Sequence, residues 1–338
     1  MKIGMFGLGF MGATHLRALQ NIPGLELAAV VSDVPQQLSG DLSGIQGNIG
    51  GPGEVFDFSN VKKFTDAWEA MADPEIEAVD LCLPTHLHKP LAVEALKRGK
   101  HVLVEKPMAR NGEETDAMVE AARQAQRVLM VAQVLRFHGA YQVLHDTVKS
   151  RRLGAVRSAF FRRRCAAPSW QRWVYDKNIS GGGVFDLLIH DVDQCLWLFG
   201  APEAVSAVGC EEMENGVDQL HAHLFYPGMG SVVVTGGWHH PKSYPFSMEF
   251  TVVFDGGTLE YSSAGRPLTL YGADGTVTPQ EVPDADCYQA ELEYFCRCCL
   301  DGRQPEECPP EESARAVKLT ALLAAARAEN GAKIPCKL

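Results

Sequence analysis

The chain holds 338 residues, 46% of them hydrophobic and 22% charged, with a formal net charge of −11 at pH 7. That length exceeds one typical domain and predicts two separate cores, and the balance is that of an ordinary globular protein rather than a disordered or collagenous one. The negative charge repels phosphate backbones and anionic headgroups, so neither nucleic acid nor membrane is an expected partner.

No apolar run, such as 27–31 or 231–234, approaches the ~18 residues of a transmembrane helix. The first residues are broken by Gly7, Gly9 and Gly12 before a signal-peptide core could form, and a cytoplasmic protein is expected. The ten cysteines then read as small, reduced core residues. Cys296-Arg297-Cys298-Cys299 contains a C-x-x-C, but it lies in an amphipathic helical pattern and lacks a second pair, so no structural metal is expected.

From residue 1 to 132 short β-branched runs alternate with amphipathic stretches, the pattern of a parallel sheet covered by helices. The runs are 2–7, 25–32, 78–83, 101–105 and 128–132, with a weaker one near Val61. Between 33 and 58, Pro35, Pro52 and the glycines at 40, 44, 47, 50, 51 and 53 oppose a helix and predict a mobile or ligand-covering loop. A helix is expected at 138–150, a strand at 156–164 and a helix start at Gly181-Gly182-Gly183. Consecutive strands then follow at 205–210, 219–226, 230–236, 246–254, 258–261 and 267–271, with helices returning at 286–300 and 311–329. The fold class is α/β: a Rossmann doubly wound parallel sheet over 1–132, then an α/β domain with a large, mostly antiparallel open sheet over 133–338.

Gly7-Leu8-Gly9-Phe10-Met11-Gly12 follows the first strand and opens a helix, the context in which G-x-G-x-x-G binds a dinucleotide pyrophosphate. Asp33 lies 33 − 12 = 21 residues further on, at the end of the second strand, where a carboxylate accepts bonds from ribose hydroxyls and repels a 2′-phosphate. NAD is therefore expected over NADP. Leu83, Pro84, Thr85 and His88 follow the fourth strand, and Glu105 and Lys106 the fifth. These strand ends form the ligand crevice of such sheets, so all six are expected along the cofactor. His86 and His88 lack the further ligands a metal needs. In Glu105-Lys106-Pro107 the proline restricts Lys106 to an extended backbone. Asp186 and His190, four apart, share one helix face and can act as an acid–base pair. Arg162 and Arg164 share one face of a strand and Arg163 the other. Trp170, Trp173, Trp238 and Tyr244 either stack on a sugar ring or fill the core.

Together these motifs resemble the Gfo/Idh/MocA oxidoreductases, the family of glucose-fructose oxidoreductase and inositol 2-dehydrogenase. The likeness runs over nearly the whole chain, through Gly7 to Gly12, Pro84-Thr85-His86-Leu87-His88, the stretch from Gly99 to Pro107, and Gly181-Gly182-Gly183 followed by Asp186 and His190. The resemblance implies that Lys106 orients the reacting hydroxyl, His190 accepts its proton and Asp186 binds and positions the substrate. It places Arg163, Trp173 and Tyr244 around the substrate, and it implies a homodimer or homotetramer built on the face of the large sheet. Residues 39–53 depart from the family's usual helix, on the adenine side.

The expected activity is an NAD-dependent dehydrogenation of a secondary hydroxyl on a cyclic polyol, sugar or glycoside, inositol being the leading example. One alternative is redox-neutral oxidation at a sugar C3 with elimination or epimerisation and retained NAD. Another is a non-catalytic regulator that binds NAD and a sugar, against which the presence of Lys106, Asp186 and His190 speaks.

Overall fold

In the computed structural model, which describes residues 1–47, 53–169 and 172–338, the alternating first half forms a six-stranded sheet. Its strands are β1 (Lys2–Phe6), β2 (Glu26–Val31), β3 (Lys62–Phe64), β4 (Ala78–Leu81), β5 (His101–Glu105) and β6 (Leu129–Ala132). They run in the order β3-β2-β1-β4-β5-β6, every pair parallel. This doubly wound order reverses its progress between β1 and β4, where such sheets open a ligand crevice. β4 and β6 are buried along their whole length, which is why they read as unbroken apolar runs rather than as alternation.

The chain divides into two units, one joining Met1–Phe137 to Ala285–Ala314, the other His138–Asp284 to Arg315–Leu338. The Cys287–Asp301 helix is part of the first unit. There Leu292, Phe295 and Cys298 are buried in one cluster with Ile3, Leu16 and Met130. Asp286 caps this helix by accepting the Tyr288 N–H at 2.8 Å.

The segment expected as a mobile loop is anchored in its described part. Leu42, Phe56 and Phe58 are buried in the same cluster, and the N–H groups of Leu42 and Phe56 donate to Glu54 and Gly40 carbonyls at 2.9 and 2.8 Å. Three apolar side chains at this spacing outweigh the glycines around them. Gly50, Gly51 and Pro52 lie outside the described residues, as does Trp170.

In the second unit the run of strands forms a nine-stranded sheet. Its members are β7 (Val156–Cys165), β8 (Ala204–Glu212), β9 (Val217–Phe225), β10 (Ser231–Trp238), β11 (Ser247–Phe254), β12 (Gly257–Ser262), β13 (Arg266–Gly272), β14 (Val277–Pro279) and β15 (Ile334–Pro335). The order is β14-β13-β12-β11-β7-β10-β9-β8-β15. β7 and β10 pair parallel and all other neighbours antiparallel. β9 alternates buried and less buried residues along its length, the mark of a sheet packed on one face. Among the described residues no helix is long and apolar enough to cross a membrane.

Strand alternation separates the three arginines of β7. Arg162 and Arg164 both pair with Glu249, the latter at 2.7 Å. Arg163, on the other face, is 2% exposed and grips Asp191 with two parallel bonds, Nε to Oδ2 at 2.9 Å and Nη2 to Oδ1 at 3.0 Å. The Arg163 guanidinium, placed around the substrate by the resemblance, is here buried against another side chain. Asp191 and Asp193 are buried as well. Removing one partner of such a pair strands the other charge, so R163M should lose about 3–5 kcal/mol of unfolding free energy in urea. The double variant R163M/D191L should recover most of that loss, and a double variant as unstable as R163M would remove the ion pair from the account.

Candidate active site

β1 ends at Phe6 and the chain turns at Gly7, where φ is +95° and a Cβ would meet the Cys82 carbonyl oxygen at 2.2 Å. A Cβ on Gly12 would stand 2.0 Å from the Gly7 oxygen. Only glycine permits this closeness. The Phe10–Leu19 helix starts at Gly9, where no side chain caps the first N–H groups, and uncapped helix N–H groups with the positive end of the helix dipole suit an anion. Phe10 and Met11 are half-buried there, and Asp33, just beyond β2, is exposed. The turn thus fits the pyrophosphate and ribose of a dinucleotide.

Of the residues after β4, Leu83 and Pro84 are half-buried, while Thr85 and His88 are buried. His88, expected along the cofactor, faces two carbonyl oxygens, with Nδ1 2.9 Å from that of Pro107 and Nε2 2.8 Å from that of Leu83. It ties the loop after β4 to the loop after β5. Burial pushes its pKa down, while both carbonyls favour the proton. At the end of β5 the buried Glu105 carboxylate accepts the Lys106 N–H at 2.9 Å through Oε2. Lys106 itself is half-buried and precedes a cis Pro107.

Beneath this turn lies a buried charge cluster that the sequence reading missed. His15 Nδ1 bonds Asp80 Oδ2 at 2.8 Å, and its Nε2 lies 3.3 Å from Glu105 Oε1. Tyr288 and the fully buried Glu291 face the same ring from the Cys287–Asp301 helix, and the Cys82 thiol stands 3.5 Å from Nδ1. Burial is the largest single influence and opposes charge on His15, but Asp80 and Cys82 together outweigh it and the imidazole is held well above its ordinary pKa. Burial pushes the Glu291 carboxyl well up, His15 opposes, and Glu105 and Asp80 add to the rise. His15, Asp80 and Cys82 bring ligand-type atoms within 4.8 Å of one another. Nδ1 and Oδ2 already share a proton there, and burial pushes the thiol far up, so the trio is a hydrogen-bonded set. The signal was present in the sequence, since Asp80 sits in the middle of an apolar strand and Glu291 among buried helix positions, and a buried charge requires a partner.

In the second unit Val184–Leu188 winds as a π-helix and continues into the Ile189–Phe199 helix. Val184, Phe185, Leu187, Leu188 and Ile189 are buried, whereas Asp186 and His190 are half-buried. Asp186 and His190 are thus the less buried positions among buried apolar neighbours. Asp218 accepts the Val184 N–H at 3.0 Å and takes Arg327 on its other oxygen at 2.5 Å, fixing the start of the segment. Asp191 anchors the next turn to Arg163. Trp173 packs against the cluster of Leu187 and Trp238, Trp238 being fully buried. Tyr244 stacks on His240 at 3.8 Å with the Arg164 guanidinium 5.4 Å from its ring.

A Rossmann unit with a dinucleotide turn, followed by a unit on an open sheet that carries an Asp/His pair, defines a two-domain oxidoreductase. Residues 1–133 match the oxidoreductase family's NAD-binding Rossmann fold and residues 141–260 the GFO/IDH/MocA C-terminal domain, and the chain belongs to the Gfo/Idh/MocA family. Levoglucosan dehydrogenase of Pseudarthrobacter phenanthrenivorans is 30% identical over 221 residues, 62% of this chain and 53% of the relative. The 1,5-anhydro-D-fructose reductase of Ensifer adhaerens is 33% identical over 227 residues, 64% of this chain and 65% of the relative. The chain thus spans about half to two thirds of these relatives' length. The solved structure of levoglucosan dehydrogenase with NADH and levoglucosan shares the fold, with a TM-score of 0.82 over 99% of this chain and 100% of that one at 20% identity.

The cluster sets the pH dependence of stability. His15 and Glu291 are both shifted toward binding a proton more tightly folded than unfolded, so the cluster's own contribution to stability falls as pH rises. The Glu291 contribution declines from about pH 4.3 upward, and that of His15 is complete below about 6.5 and lost as pH passes its folded pKa. In thermal melts E291Q should therefore gain more over the natural protein at pH 8 than at pH 5. Parallel curves would mean that Glu291 is ionised in the folded protein.

Proposed function

We propose that the protein is an NAD-dependent dehydrogenase acting on a secondary hydroxyl of a cyclic polyol, sugar or glycoside. What carries the reading is one pairing, a glycine turn with an uncapped helix start at the sheet's switch point and a half-buried Asp186/His190 pair in the second unit. The named relatives act on, or are bound to, sugars and anhydrosugars, which supports this substrate class.

Bound NAD supplies the hydride acceptor. Gly7, Gly9 and the first N–H groups of the helix would hold its pyrophosphate, and Asp33 would accept from the ribose hydroxyls. Lys106 donates to the reacting hydroxyl, and its positive charge favours the alkoxide that forms. His190 takes the proton as general base, and Asp186 holds the substrate in register.

Inositols, free sugars, anhydrosugars and sugar acids, each with NAD and then NADP, form the panel for the first assay. NADH formation with one compound class is expected, and no turnover of free NAD by folded protein would overturn the dehydrogenase reading. K106A and H190A should each lower kcat by about 10²-fold or more with NAD affinity unchanged. An unaltered rate would take either residue out of the reaction. D33S should raise the use of NADP, and a fixed cofactor preference would remove Asp33 from that role.

A further inference from the structure

We infer that His15 is a positioning residue for Lys106, acting through Glu105 from beneath the strand end. The inference rests on the reading of Lys106 as the group at the reacting hydroxyl.

Two hydrogen bonds and, between them, one charge contact lead from β4 to the turn; His15 Nε2 faces Glu105 without hydrogen-bonding it. Asp80 holds His15 Nδ1 at 2.8 Å, His15 Nε2 stands 3.3 Å from Glu105 Oε1, and Glu105 Oε2 accepts the Lys106 N–H at 2.9 Å. Pro107 has no N–H, so this is the turn's one backbone donor between Glu105 and Met108. On the far side His88 meets the Pro107 carbonyl oxygen at 2.9 Å. Two buried imidazoles thus brace the backbone before and after Lys106, leaving its side chain as the half-buried member of the turn.

Stability does not account for this arrangement. Asp80 and Glu105, with Glu291 close by, surround one imidazole in a site where all four residues are at most 6% exposed. Buried ionic groups cost desolvation that apolar residues of similar volume avoid. What the cluster does supply is direction. A carboxylate fixed on one oxygen by a cation holds the other toward a single backbone donor. A displacement of about 1 Å at a reacting group costs up to ~10²-fold in rate, so a rigid support under Lys106 has a catalytic effect without touching substrate. The groups that face His15 are Asp80 and Cys82 from β4, Glu105 from β5, and Tyr288 and Glu291 from the Cys287–Asp301 helix.

The test uses the full chain and the panel compound that reduces NAD fastest. kcat, KM and the NAD dissociation constant are measured for H15Q, E105A, E105Q, the double variant H15Q/E105A, and K106A. H15Q and E105A are each expected to lose about tenfold or more in kcat, a loss well beyond any change in NAD affinity. The double variant should lose no more than the worse single one, because both cut the same chain. E105Q keeps an oxygen for the Lys106 N–H and should fall between E105A and the natural protein. If H15Q does not fold, the order of the two Glu105 variants reads the same brace. Rates of H15Q and E105A within twofold of the natural protein, beside a K106A loss of 10²-fold, would overturn the inference. Losses that multiply in the double variant, or that track lost NAD affinity, would overturn it as well. An unimpaired K106A would instead refute the role of Lys106 itself.

Discussion

One imidazole ring between two carboxylates joins three elements of the first unit. His15 comes from the helix that starts at the glycine turn, Asp80 from β4 and Glu105 from the end of β5. These elements flank the switch point of the sheet, so the contact that carries buried charge also sets the floor on which the dinucleotide turn and Lys106 stand. Apolar side chains of similar bulk would fill the space, but they would leave the Lys106 N–H without its acceptor.

The second unit repeats the device with different chemistry. Its proposed reactive pair spans the π-turn, with Asp186, and the helix that follows, with His190; the start of the π-turn is tied by Asp218 to Arg327 and the next turn by Asp191 to Arg163. In both units the half-buried groups proposed to act on substrate adjoin fully buried ion pairs. Such pairs add little net stability, but they restrict the geometries open to the backbone beside them.

Regular repetition made most of the fold legible. The parallel strands announced themselves as apolar runs and the large sheet as consecutive alternating segments, and the glycine turn, Lys106 and the Asp186/His190 face were visible as local patterns. The misses all depended on distant partners. The Cys287–Asp301 helix belongs to the first unit because of contacts across most of the chain, and β14 and β15 are too short to show a period. The partners of Arg163 and His88, Asp191 and two backbone carbonyls, were equally out of reach of a local pattern. A polar residue in a local pattern discloses its face and not its partner.

The π-turn at Val184–Leu188 carries a consequence for how this chain can vary. A π-turn is one residue more than the same span of α-helix holds, so its existence depends on chain length rather than on side-chain identity. Deleting a single residue there would restore a regular helix and swing Asp186 around the axis relative to His190, though every side chain of the pair remained. Between Gly183 and His190 the protein can therefore exchange residues far more readily than it can lose one.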